Sequence, residues 1–177
     1  MTESELIVMA SPQVELAKKT IETYIKEMKI LLVPENVPPD MRERAGVFVS
    51  IKKRGELRGC IGTFTPTKMS IAEEIITNAI AAATQDPRFP PIEEAELSEL
   101  EINVDVLSQP EKVFSKNDLD EKKYGVIVSA GGRKGLLLPD LPGVNSPAEQ
   151  IAICMRKAGI GENEAVELYR FEVKRYY

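Results

Sequence analysis

Hydrophobic and polar positions alternate along this chain in two distinct rhythms. After Ser11-Pro12, residues Val14, Ala17, Ile21, Ile25 and Met28 recur at helical spacing. Serine as N-cap and proline at the first helical position predict an amphipathic helix from there to about Lys29. The run Pro34-Glu-Asn-Val-Pro-Pro39 cannot continue it and reads as a loop. The rhythm then changes to a period of two. Gly46–Lys52 is a strand, Lys53-Arg-Gly-Glu56 a turn, and Leu57–Thr63 the returning strand of a hairpin. Ser70-Ile-Ala-Glu73 is a capping box, with Glu73 placed to reach back to the cap amide. The helix it opens carries Ile71, Ile75, Ile76, Ala79, Ile80 and Ala83, a face broad enough for deep burial, and ends by Asp86-Pro87.

Leu100, Ile102, Val104 and Val106 alternate with Glu101, Asn103 and Asp105, the signature of a half-buried strand. Tyr124–Ser129 and Gly135–Leu138 read as strands around a turn at Gly131-Gly132-Arg133-Lys134. Ser146-Pro-Ala-Glu149 starts another helix, which Gly159 closes as a C′ glycine. Leu168–Tyr177, aromatic and β-branched, reads as one C-terminal strand. Hairpins interleaved with helices predict an α+β fold with an antiparallel or mixed sheet and packed helices.

The strand Leu57-Arg58-Gly59-Cys60-Ile61-Gly62-Thr63 is the candidate site. Strict alternation puts Leu57, Gly59 and Ile61 on a core face and Arg58, Cys60 and Gly62 on the other. That second face would hold a guanidinium and a thiol side by side, with open space at Gly62. Cys60 is the candidate nucleophile, its thiolate favoured by Arg58. The competing reading is a small buried hydrophobe, a common role of free cysteine. Asp86-Pro87-Arg88-Phe89-Pro90-Pro91 is the second candidate, with prolines holding Arg88 as an anion fork and Phe89 as an aromatic wall. Its competing reading is a helix terminator in which Arg88 pairs with Asp86. Glu101, Asn103 and Asp105 could orient a polar ligand, or simply be the wet side of a strand.

Composition narrows the chemistry. Histidine is absent from the 177 residues, and the two cysteines, Cys60 and Cys154, are far apart. A Ser-His-Asp triad, a Cys-His pair, a typical zinc site and a thiolate-bound cluster are all excluded within one chain. No metal site and no cofactor are expected. A net charge of -5 argues against generic nucleic-acid binding, and Lys52-Lys53-Arg54 and Arg133-Lys134 read as solvated hairpin tips. The Gly131-Gly132 stretch lacks the phosphate-loop spacing. No apolar run reaches membrane-spanning length and no leader is evident, so a cytoplasmic protein with reduced cysteines is expected.

Leu57-Arg-Gly-Cys-Ile-Gly-Thr63, joined to Asp86-Pro-Arg-Phe89 and Gly135-Leu-Leu-Leu-Pro139, resembles the AMMECR domain family, and within it the microbial branch of the AmmeMemoRadiSam system. The likeness runs from the first helix to Lys157-Ala-Gly-Ile160. It implies one domain over residues 1–177 built of two subdomains, with a cleft between two lobes lined by the Arg-Gly-Cys-Ile-Gly motif. It also implies association with a Memo-type protein and a radical S-adenosylmethionine protein. Residue by residue, it marks Arg58, Gly59, Cys60 and Gly62, with Asp86, Arg88 and Phe89. The chain departs from many members in lacking tryptophan and histidine. The function so implied is a ligand- or partner-binding component. An enzyme with Cys60 as nucleophile, and Glu101 or Asp105 as proton acceptor, is the alternative, and a nucleic-acid-binding regulator the least favoured.

Overall fold

The computed structural model describes residues 9–177. Within them the chain is α+β, with antiparallel pairing in two four-stranded sheets. It forms two compact units. One runs to Val106 and takes in Arg175–Tyr177; the other is Leu107–Lys174.

The first unit holds helices α1 (Pro12–Glu27) and α2 (Ile71–Thr84) and strands β1 (Val47–Lys53), β2 (Glu56–Thr63) and β3 (Leu100–Leu107). The capping predicted from sequence is present: Ser11 and Ser70 each accept a backbone N–H three residues on. Met28 ends α1 in the left-handed conformation, one residue short of the expected end. Glu73 accepts from Met69 N at 3.1 Å, one residue before the cap amide anticipated for it. The β1–β2 turn has positive φ at both Arg54 and Gly55, the backbone of a tight hairpin turn.

β2 lies at the edge of its sheet, in the order β2-β1-β3-β8, where β8 is Val173–Tyr176. Val47, Val49 and Ile51 on β1, Val104 on β3 and the apolar faces of α1 and α2 form one core. Gly59 faces α2 so closely that a Cβ there would run into the Ala82 carbonyl oxygen. At α2's start a buried carboxylate, Glu74, accepts from Thr63 Oγ1 and Thr67 Oγ1 at 2.7 Å and from Thr67 N and Lys68 N at 2.9 Å. The carboxylate thus fixes the loop that leaves β2.

The second unit holds β4 (Glu111–Val113), β5 (Gly125–Ala130), β6 (Arg133–Leu137), α3 (Pro147–Ala158) and β7 (Glu167–Phe171), with strand order β4-β7-β5-β6. Its core gathers Val126, Val128, Leu137, Ile151 and Cys154. Gly131 and Gly132 make the β5–β6 turn, both at positive φ, and Gly159 caps α3 in the left-handed region.

One element differs from expectation. The single C-terminal strand is two, β7 and β8 (Val173–Tyr176), which belong to different sheets. The break falls at Glu172. Its N–H is taken by Ser108 Oγ at 2.8 Å, and its carbonyl accepts from Ser108 N at 2.9 Å. Alternation alone cannot reveal such a change of sheet. β4 has no sequence signal either, being three residues long beside a proline.

Candidate functional site

The β1–β2 register decides what the motif strand presents. Ile51 pairs with Gly59 but Lys52 pairs with Leu57, leaving Arg58 as an extra residue, a β-bulge. Cross-strand partners share a face. Cys60 therefore shares its row with Ser50 on β1 and Asn103 on β3, and Gly62 shares the next with Phe48 and Asp105. Gly59 and Ile61 lie on the helix-covered face. Leu57, expected with them, sits opposite Lys52 and is 42% exposed. Strict alternation fails because the bulge adds one residue between Leu57 and Gly59.

The same bulge carries Arg58 away from the thiol. Its side chain is only 14% exposed and is fully engaged. Nε and Nη2 donate to Glu96 Oε1 and Oε2 at 3.0 and 2.9 Å, Nη1 donates to Pro90 O at 2.8 Å, and Nη2 also reaches Pro91 O at 3.3 Å. Glu96 also accepts from Lys53 Nζ at 3.0 Å. Bonds from Arg58 outweigh the desolvation of its carboxyl and, with Glu93 N and Lys53, hold it down at about 2. Arg58 is thus a clamp that holds residues 90–96 against β2. Replacing it with alanine is expected to cost about 3 kcal/mol, because it leaves Glu96 half-buried without its main partner. Thermal or urea unfolding measures this.

Asp86 is the second anchor of the same edge. Its side chain is 3% exposed, and Oδ2 accepts from the outward-pointing N–H of Cys60 at 3.0 Å. Arg88 binds both carboxylate oxygens, Nε to Oδ1 at 3.0 Å and Nη2 to Oδ2 at 2.8 Å, and its backbone N–H reaches Oδ1 at 3.1 Å. The Arg88 bonds, with that from Cys60 N, outweigh burial and hold the Asp86 carboxyl well below the usual range. Arg88 is 56% exposed, and its Cζ lies 5.5 Å from the centre of the half-buried Phe89 ring. Arg88 thus pairs with Asp86, as the helix-terminator reading from sequence has it, while more than half of its side chain stays exposed.

Cys60 is partly exposed, with Sγ 3.2 Å from Ser50 Oγ. The space expected beside Gly62 is filled: a Cβ there would collide with the Phe48 ring and press on Phe48 Cα. Of the proposed proton acceptors, Asp105 is buried and paired with Arg175, whose Nε and Nη2 lie 2.7 and 2.9 Å from its oxygens. Glu101 stands in the Lys52–Leu57 row, apart from that of the thiol. Among the described residues no group of three or more His, Cys, Asp or Glu could hold a metal.

Cys154 contrasts with Cys60. It is fully buried, lies 3.6 Å from Val126 O, and burial pushes its thiol up to about 11. In the folded protein, alkylation by iodoacetamide near pH 8 is expected to label Cys60 and to spare Cys154 until the chain is denatured. Peptide mass mapping with and without urea checks this.

Comparison with known proteins places the chain in a family. The AMMECR1 family model matches residues 14–176. The chain belongs to the AMMECR1 family. An AMMECR1 relative from Thermotoga maritima is 52% identical over 168 residues, covering 93% of this chain and 97% of its own length. One from Clostridium acetobutylicum is 46% identical over 167 residues, 93% of this chain but 36% of that longer protein. The crystal structure of an uncharacterised protein from Pyrococcus horikoshii superposes with a TM-score of 0.84 at 34% identity, covering 92% of this chain and 88% of the other.

Of the residues singled out from sequence, Cys60, Asp86, Arg88 and Phe89 are linked beside the edge of β2. Arg58 is turned to Glu96 and Pro90, Gly59 faces α2 and Gly62 lies against Phe48. Ser50 and Glu96 escaped sequence reading. Locating Ser50 required the bulge, and Glu96 is one of five acidic residues between Glu93 and Glu101, with nothing in the pattern to distinguish it. Among the described residues no helix is long and apolar enough to cross a membrane.

Proposed function

We propose that this AMMECR1 protein is a binding component of a multi-protein modification system, engaging an acidic group of its ligand or partner at the edge of β2. The observation that carries the proposal is the Asp86–Arg88 pair. Its negative end is buried and hydrogen-bonded to the motif strand, while its positive end is exposed beside Phe89 and Cys60. A guanidinium fixed in this way loses little freedom when it takes up an anion, which favours binding. Arg58 contributes by holding Pro90 and Pro91, and so the loop that presents Arg88. The Memo-type and radical S-adenosylmethionine proteins implied by the family resemblance are the proposed partners, in the cytoplasm.

Purified partners from the same genome provide the test. Binding is measured by interferometry for the wild type, Arg88→Gln and Phe89→Ala, with circular dichroism confirming the fold of each. The Arg88 change is expected to weaken binding about tenfold, equivalent to ~1.4 kcal/mol. Unchanged affinity in a folded Arg88→Gln protein, or no binding of either partner, would overturn the proposal. Nucleophilic catalysis at Cys60 is the second reading, favoured by the partial exposure of the thiol. With Asp105 committed to Arg175, its proton acceptor must come from substrate or partner.

A further inference from the structure

We infer that a cavity in the second unit, at Arg170 and Tyr124, is a site for a free α-amino acid with an uncharged side chain, held by its carboxylate and its ammonium together. Nothing in this site depends on the binding role proposed for the edge of β2.

The cavity itself is the first observation. Its volume is about 350 Å³, and every residue lining it lies between Ser108 and Glu172, within the second unit. Small-molecule sites begin at about 300 Å³. Three separate stretches of chain make the walls: Ser108 and Glu111, then Tyr124 just ahead of β5, then Arg170 and Phe171 at the end of β7 with Glu172 beyond them. These walls are pinned. Ser108 N donates to Glu172 O at 2.9 Å, and Ser108 Oγ accepts from Glu172 N at 2.8 Å. Tyr124 N donates to Asp120 O at 2.8 Å, and Tyr124 O accepts from Nε2 of the fully buried Gln150 at 3.0 Å.

The second observation is where Arg170 stands. Its row across the sheet is Glu111, Arg170, Val126 and Leu137, and the last two are core residues. A guanidinium in such a row loses water on its inner side and needs partners. It has them only in part. Nη1 donates to Asp118 O at 2.8 Å, and Cζ lies 4.4 Å from the centre of the Tyr124 ring. Nε reaches Glu111 Oε2 at 3.3 Å, and Nη2 has no hydrogen-bond partner among the described residues.

The acidic groups of the cavity are held as loosely. Glu111 is 69% exposed, against 28% for Arg170, and Glu172 meets Lys123 Nζ only at 4.0 Å. The cavity thus offers a fixed cation with an open nitrogen and two carboxylates free to turn. A ligand carrying both signs satisfies them without adding net charge. Arg170 and Glu172 are two residues apart, about 7 Å along an extended chain. An α-amino acid, with both charged groups on one carbon, fits such a gap, whereas a peptide sets its ends further apart. The carboxylate takes Nη2 and displaces Glu111 from Nε, giving the forked pairing that arginine favours. The ammonium then lies between Glu111 and Glu172. What remains for the side chain is Ser108, Phe171 and the Tyr124 ring, none of them charged.

The test uses the full chain and the common amino acids, screened singly by saturation-transfer NMR. Each amino acid that binds is then titrated by calorimetry beside its decarboxylated amine and its deaminated acid. At least one amino acid with an uncharged side chain is expected to bind, and both analogues are expected to bind at least about tenfold more weakly. Arg170→Gln and Glu172→Gln are each expected to cost about tenfold in affinity, with circular dichroism confirming their folds. The analogue comparison is made on the wild type and holds even if Arg170→Gln does not fold. Absence of binding, binding confined to charged side chains, an amine or acid that binds as tightly as the amino acid, or unchanged affinity in either folded variant would overturn the inference.

Discussion

Replacing Glu74 with alanine is expected to destabilise the first unit by about 4 kcal/mol, while glutamine costs only about 1–2 kcal/mol. The difference follows from the donors. Oε2 receives two backbone N–H groups, from Thr67 and Lys68, which can donate only; Oε1 receives the hydroxyls of Thr63 and Thr67, which can turn and accept instead. A glutamine can present its oxygen to the amides and its NH2 to the hydroxyls, keeping every contact but losing the charge. Alanine strands both amides in a buried site and leaves a cavity. The carboxyl also has a pH signature. Desolvation raises its pKa, but the four hydrogen bonds together outweigh burial, so the group stays below its ordinary value in the folded state. Its contribution is therefore complete above the unfolded carboxylate pKa of about 4.3 and is lost as pH falls toward the lower folded value. Urea unfolding between pH 7 and 3 should show a flatter acid limb for Glu74→Gln than for the wild type.

The second large effect is expected at Gly59. An alanine Cβ there would be driven into the main-chain carbonyl oxygen of Ala82 in α2, and a Cβ fixed to the backbone has no rotation that relieves it. Either α2 lifts from β2 or the strand distorts. Both loosen the core shared by Val49, Ile51, Ala79 and Ala83, and a cost of about 3 kcal/mol is expected. Because the helix ends two residues before Asp86, the shift would also move the carboxylate that holds Cys60 N and Arg88. Gly59→Ala should therefore lower the melting temperature and weaken partner binding together. Loss of stability with unaltered affinity would show that the edge of β2 does not depend on α2.

The helices were legible in sequence because their signals are local. Ser11-Pro12, Ser70 and Ser146-Pro147 each combine a cap with the amphipathic or capping pattern that follows, and none needs a distant partner. The strand pair β1–β2 was equally plain around Arg54-Gly55. The face presented by each residue of β2 was not, because nothing in Leu57-Arg58 marks a bulge. Arg58 and Arg88 therefore exchange the prominence expected of them. The arginine inside the motif braces the loop, and the one outside it faces solvent near the thiol. The ends of the C-terminal strands were hidden for a similar reason. A residue that changes sheets, as at Glu172, is defined by Ser108, which lies 64 positions earlier.

The extra residue at Arg58 makes the site a matter of chain length as well as composition. Counting outward from Arg54-Gly55 with Arg58 paired in the ladder rather than bulged would set Cys60 opposite Val49, in the buried row against α2. A single deletion among Glu56, Leu57 and Arg58 would leave a regular ladder with Cys60 still opposite Ser50. Pairing Arg58 in place at the present length would instead turn the thiol inward and bring Gly59 and Ile61 outward, the letters Gly-Cys-Ile-Gly unchanged in both. Two sequences that both spell the motif need not display it, because spacing from the turn and the presence of a bulge together decide which face the cysteine takes.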